Sequence, residues 1–68
     1  MSIYRFRIFS SGLRKPEHIV ERRSDVEQLI PHGEYRIVMR YQGRKKLATY
    51  MVDKDIRGGC RWTQLANG

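Results

Sequence analysis

Residues 3–9 read IYRFRIF, with an aromatic or aliphatic side chain at every second position and an arginine between them. Side chains alternate across a β-strand, so Tyr4, Phe6 and Ile8 fall on one side and Arg5 and Arg7 on the other. The same period returns over residues 34–42, where Tyr35, Ile37, Met39 and Tyr41 face one way and Arg36, Val38 and Arg40 the other. Two amphipathic strands of this kind predict an antiparallel sheet with one face packed and one face wetted. The expected core set is Tyr4, Phe6, Ile8, Ile37 and Met39, which sends Arg5, Arg7, Arg36 and Arg40 to the opposite face together. Phe9, Val38, Leu47 and Thr49 are expected among those arginines.

Gln42-Gly43 marks a hairpin, and residues 46–53 return from it. A loop of two or four residues sets Ile37 and Met39 on the same side as Ala48, Tyr50 and Val52. A three-residue loop with a bulge reverses that pairing, and the alternation alone does not choose between them.

Between the two alternating stretches, the Ser10-Ser11-Gly12 and Lys15-Pro16 pairs punctuate the chain. Residues 18–22 then suit a short strand. Ser24-Asp25-Val26-Glu27 has the form of a capping box, in which the Ser24 hydroxyl accepts from the Glu27 amide and the Glu27 side chain returns to the Ser24 amide. A helix over about residues 25–30 follows, with Val26, Leu29 and Ile30 on one face and Pro31 as its stop. The competing reading is one longer helix starting at Pro16. Arg22 and Arg23 sit where its apolar stripe belongs, which favours a strand followed by a short helix.

His32-Gly33 reads as the turn into the next strand. Residues 53–59 form a charged loop ending in Gly58-Gly59, and residues 60–65 suit a last edge strand carrying Trp62, with 66–68 fraying. The predicted fold is α+β: one small antiparallel sheet of four to five strands, with one short helix packed on one face, in a single domain spanning residues 1–68.

Size limits what such a domain does. A chain of 68 residues buries about 60% of the surface its unfolded form exposes, which leaves little room for a deep catalytic cleft. Cys60 is the only cysteine, so no internal disulfide forms, and His18 and His32 lack zinc-site spacing. A second copy of the chain, paired through an edge strand, is the supplement to stability that is left. Asp53 and Asp55 flank Lys54 in a loop with no further acids at calcium-loop spacing, and Gly58-Gly59 lacks the strand and helix of a phosphate loop. No metal, cofactor or catalytic group is expected, and the chain reads as non-enzymatic.

The lone thiol, with no apolar leader ahead of Arg5 and Arg7, points to a reducing, cytoplasmic compartment. No stretch approaches the roughly 18 apolar residues of a membrane span.

Charge supplies the functional signal. Fourteen Lys and Arg stand against seven Asp and Glu, for a formal net charge of +7. A field of this sign raises encounter rates with polyanions and acidic proteins. Arg5, Arg7, Arg36 and Arg40 on the sheet, Arg44, Lys45 and Lys46 beside Tyr41 at the hairpin tip, and Arg57 and Arg61 flanking Trp62 are the expected binding residues. Guanidinium groups fork onto phosphates, and tyrosine or tryptophan stacks on bases. Trp62 closing the edge of the core, and arginines pairing with Glu17, Glu21, Glu34 and Asp55, are the competing structural roles. The expected partner is nucleic acid, DNA or RNA. The alternative is an adaptor or inhibitor, of the kind mobile elements encode, docking on the acidic surface of a protein.

Overall fold

The computed structural model describes residues 4–10 and 14–67. Its five strands are β1 (Tyr4–Phe9), β2 (His18–Val20), β3 (Tyr35–Gln42), β4 (Lys45–Lys54) and β5 (Cys60–Ala66), and one helix, α1 (Arg23–Leu29), lies between β2 and β3. They form one antiparallel sheet in the order β2-β1-β3-β4-β5. Both β2 and β3 run antiparallel to β1, and therefore parallel to each other. The crossover that joins them carries α1 across one face of the sheet, a split βαβ unit. The expected α+β sheet with one short helix is the observed architecture.

That crossover buries a compact set of small apolar side chains. Val26 and Ile30, one turn apart on α1, press onto Phe6 and Ile8 of β1, Val38 of β3 and Val52 of β4, with Val20, Tyr50, Cys60 and Trp62 packed at the margin. Leu29 was expected on the same helix face and is instead 40% exposed. Two turns of helix are marginal alone, so α1 depends on this contact.

The helix starts two residues earlier than the capping box implied. Arg22 is its N-cap, in extended backbone, and no side chain caps it. Ser24 lies inside the first turn, where Asp25 complements the helix dipole. Glu27 does not reach back to cap, because its carboxylate accepts a hydrogen bond from Trp62 Nε1 at 2.8 Å. The helix ends as expected: Ile30 turns extended, the conformation that a following proline imposes.

The largest departure from expectation is in β3. Gln42 pairs with Lys45 across a two-residue turn in which Gly43 takes φ +60° and Arg44 a negative φ, the sign pattern of a type II′ hairpin. Tyr41 then pairs with Lys46, but Arg40 pairs with Ala48, so Leu47 is skipped. This bulge reverses the side on which every earlier residue of β3 meets β4. Val38, fully buried, takes the core position, while Ile37 and Met39 turn to the uncovered face. Arg36 and Arg40 accordingly share the helix side with Val38, not the face that carries Arg5 and Arg7.

A second shift at Thr49/Tyr50 skips Leu65 of β5 and lets Ala66 pair with Thr49, so the last strand runs one residue further than expected and Ala66 is not frayed. The strand start expected at Ile3, the Ser11-Gly12 turn and the fraying of Gly68 fall outside the described residues. The loop after β4 is closed locally: the Asp55 carboxylate accepts from the Gly59 amide at 2.9 Å, and Gly58 takes φ +96°.

The bulge makes a stability prediction. Val38→Ala should lower the unfolding free energy by about 2 kcal/mol, through lost burial and the cavity left behind. Met39→Ala, on the uncovered face, should cost less than half as much. Urea denaturation of the two variants checks the order, which a hairpin without the bulge would invert.

Candidate nucleic-acid interface

The register defines the uncovered face row by row. Arg5, Tyr41 and Lys46 stand side by side across β1, β3 and β4. The next row is Ile19, Arg7, Met39 and Thr49, followed by Phe9, Ile37, Met51 and Thr63, and then by Tyr35, Asp53 and Arg61. Most of these side chains are half-buried against one another, and Tyr35 and Ile19 are exposed. The Arg7 guanidinium lies 4.0 Å over the Tyr41 ring, which fixes both groups at the hairpin end of the face.

Charge is segregated along the strands. Residues 1–16 and 35–52 contain no Asp or Glu, and they hold Arg5, Arg7, Arg40, Arg44, Lys45 and Lys46. The open ends of β1, β3 and β4 and the turn between the last two bring those residues together. Glu34, Asp53 and Asp55 lie at the far end, where they line a broad groove of about 700 Å3 with Tyr35, Ile56 and Arg57. The molecule is therefore basic at the hairpin end and mixed in charge at the other.

The expected site residues divide accordingly. Arg5, Arg7, Tyr41 and Lys46 are neighbours on the uncovered face, and Arg44 and Lys45 adjoin them at the turn. Arg61 shares that face but stands at the far end beside Asp53, and Arg57 lies in the loop beyond it. Arg36 and Arg40, expected on the uncovered face, are on the helix side, and so is Trp62.

Arg36 is also neutralised. It pairs with Glu34 at 3.1 Å and with Glu17 at 3.8 Å, and donates to the Tyr35 carbonyl at 2.8 Å. These are the only ion pairs among the described residues. Arg40 instead lies 4.4 Å over the Tyr4 ring.

Trp62 takes its structural role. Its ring meets Phe6 and Tyr50 edge to face at 5.8 and 5.4 Å, Arg23 covers it at 4.3 Å, and Glu27 holds its Nε1. Tyr4, expected in the core, is exposed beneath Arg40, and Arg23 over Trp62 is a cation that the strand pattern did not single out. Their contacts are between elements, and Arg23, with Glu21, Asp25 and Glu27 close by in the sequence, carried no local signal.

No group of three His, Cys, Asp or Glu converges among the described residues to hold a metal. No helix among them is long and apolar enough to cross a membrane. No protein-family model matches the chain, and no curated protein or solved structure is significantly similar to it.

Cys60 sits opposite Lys54 at the start of β5, where burial first and the Glu27 carboxylate second push its thiol pKa upward, against an opposing pull from Lys54. A raised pKa lowers the thiolate fraction, the reverse of what a nucleophilic cysteine needs. Alkylation of Cys60 by iodoacetamide at pH 8 should therefore run several-fold slower than that of free cysteine, and should match it in urea. An equal rate in the folded protein would contradict the burial of this thiol.

Proposed function

We propose that this domain is a non-enzymatic nucleic-acid-binding module of a reducing compartment, which engages its ligand with the hairpin end of the sheet. One observation carries the reading. Five cations, Arg5, Arg7, Arg44, Lys45 and Lys46, cluster beside Tyr41 with no carboxylate within 4.0 Å of any of them among the described residues. Unneutralised cations in a row suit the regular spacing of phosphates. Tyr41 and Phe9, on the uncovered face behind them, offer surfaces on which unpaired bases stack. The arrangement differs from the arginine-covered sheet face that the alternation predicted: cations frame an aromatic and aliphatic surface and do not tile it.

If all five cations contact phosphates, log K should fall against log salt with a slope of about −3.5 on single strands and about −4.5 on duplex DNA. Fluorescence anisotropy with labelled oligonucleotides across a salt series measures it. Replacing Lys45 and Lys46 together by Ala should make the slope shallower by about 1.4 on single strands and about 1.8 on duplex DNA, while Arg57→Ala, at the far end, should leave it unchanged. Absence of binding at low salt overturns the reading.

The second reading is a protein-binding adaptor. The half-buried row of Phe9, Ile37 and Met51, with Met39 beside it and Ile19 exposed, supports this. Aromatic and methionine side chains ringed by arginine are what protein interfaces favour. Co-purification of a stoichiometric acidic protein, free of nucleic acid, would decide for this alternative.

A further inference from the structure

The helix side holds a second arginine-lined feature, distinct from the uncovered face. Arg23, in the first turn of α1, and Arg40 of β3 line a notch of about 260 Å3 together with Phe6, Tyr50 and Trp62. Arg23 rests over the Trp62 ring and Arg40 over the Tyr4 ring. A ring face holds a guanidinium by attraction to its quadrupole, and leaves the donors in the guanidinium plane uncommitted.

One donor beside this notch is left unmet among the described residues. Arg40 Nε is buried and has no hydrogen-bond partner. A buried donor left unmet is destabilising, so the site favours an incoming acceptor. Neither guanidinium has a carboxylate within 4.0 Å among the described residues, where Arg36 makes the ion pairs. Glu27, one turn along α1 from Arg23, is committed to Trp62 Nε1. Two positive charges thus face one small concavity with a single carboxylate at its edge, Glu27, held on Trp62 and outside ion-pair range of either guanidinium.

We infer that this notch binds the dianionic phosphate of a phosphate monoester. A monoester with its second pKa near 6 carries close to two negative charges at neutral pH, and its three terminal oxygens take donors from both guanidinium forks. A carboxylate supplies one charge, and a phosphodiester within a strand likewise supplies one. The volume is below the roughly 300–1,000 Å3 of sites for drug-sized ligands, which suits a phosphate with the sugar or alkyl carbon that bears it. That chemistry comes from a free nucleotide or from the phosphorylated end of a strand. The inference stands on the helix side alone and does not require the uncovered face to bind nucleic acid.

Trp62 is the chain's only tryptophan and lines the notch, so its emission reports occupancy. The probes are inorganic phosphate, a nucleoside 5′-monophosphate, and one single-stranded oligonucleotide with and without a 5′-phosphate. The monophosphate should give a saturable change, and Arg40→Met should weaken it by about tenfold or more, the loss of a charge-assisted pair. Arg23→Met, at an exposed helix position, should do the same with the far-ultraviolet circular dichroism unchanged, and keeps the test decisive if the Arg40 variant fails to fold. Tighter binding of the 5′-phosphorylated oligonucleotide assigns the phosphate to a strand end, and equal binding of both oligonucleotides assigns it to a small ligand. The inference is overturned if no phosphate probe changes the emission at millimolar concentration, or if Arg23→Met binds the monophosphate as the parent does. Oligonucleotide binding that ignores the 5′-phosphate and survives both substitutions, with no response to the monophosphate, would uphold the uncovered face and remove the notch.

Discussion

The skipped residue in the β3–β4 hairpin decides what this domain shows to solvent on each face. With Gln42 held opposite Lys45 across the turn, an unbroken ladder would pair Arg40 with Leu47 and Met39 with Ala48. Omitting Leu47 moves Arg40 to Ala48 and Val38 to Tyr50, so Val38, which pairs with Ile8 of β1, shares a face with Ala48, Tyr50 and Val52. A floor of Val38, Ala48 and Val52 is shallow enough for α1 to bring Val26 and Ile30 into contact with the sheet. Ile37 and Met39 in those places would add bulk beneath a helix that has only two turns with which to adapt, and overpacking of that kind is itself destabilising.

The shallow floor leaves Arg36 and Arg40 beside the core, and they are accommodated differently. Both are half-buried on that side, and their guanidiniums find different partners. Arg36 runs toward Glu17 and Glu34, where its charge is cancelled. Arg40 has no carboxylate within 4.0 Å among the described residues and settles over Tyr4. Position along one strand, four residues apart, thus separates an arginine that stabilises the fold from one whose charge stays available.

Much of this was legible in the residues, and the parts that were not share a physical cause. β1 is legible because Tyr4, Phe6 and Ile8 occupy one parity while the other carries two arginines before Phe9, so the first side is the one fit for burial. β3 is ambiguous: Tyr35, Ile37, Met39 and Tyr41 occupy one parity, but Val38 on the other is equally fit for a core. Bulk favours the first set, and a bulge, which leaves no trace in a period of two, selects the second. The Ser24–Glu27 capping pattern misled for a related reason. Its local bond competes with a bond from Trp62 Nε1, contributed by a strand 35 residues away. The basic tip, Arg44, Lys45 and Lys46, was plain because its members are adjacent in sequence. Arg23 was invisible, since only the folded sheet brings Trp62 beneath it.

The basic end also uses an unusual way of holding its side chains. Arg7 over Tyr41, Arg40 over Tyr4 and Arg23 over Trp62 are three guanidiniums restrained by rings, and Arg36 is the one restrained by carboxylates among the described residues. The difference matters for any anionic ligand. A carboxylate that orders an arginine also neutralises it, so a ligand must displace the acid before it gains anything. An aromatic ring orders the side chain through a contact worth about 0.5–1 kcal/mol and leaves the full charge and the in-plane donors free. Immobilising a long side chain on binding costs about 0.5–1.5 kcal/mol, and here part of that ordering is complete before a ligand arrives. A small sheet can in this way present pre-arranged cations on both of its faces, with the tyrosines and the tryptophan acting as the supports that acids would otherwise provide.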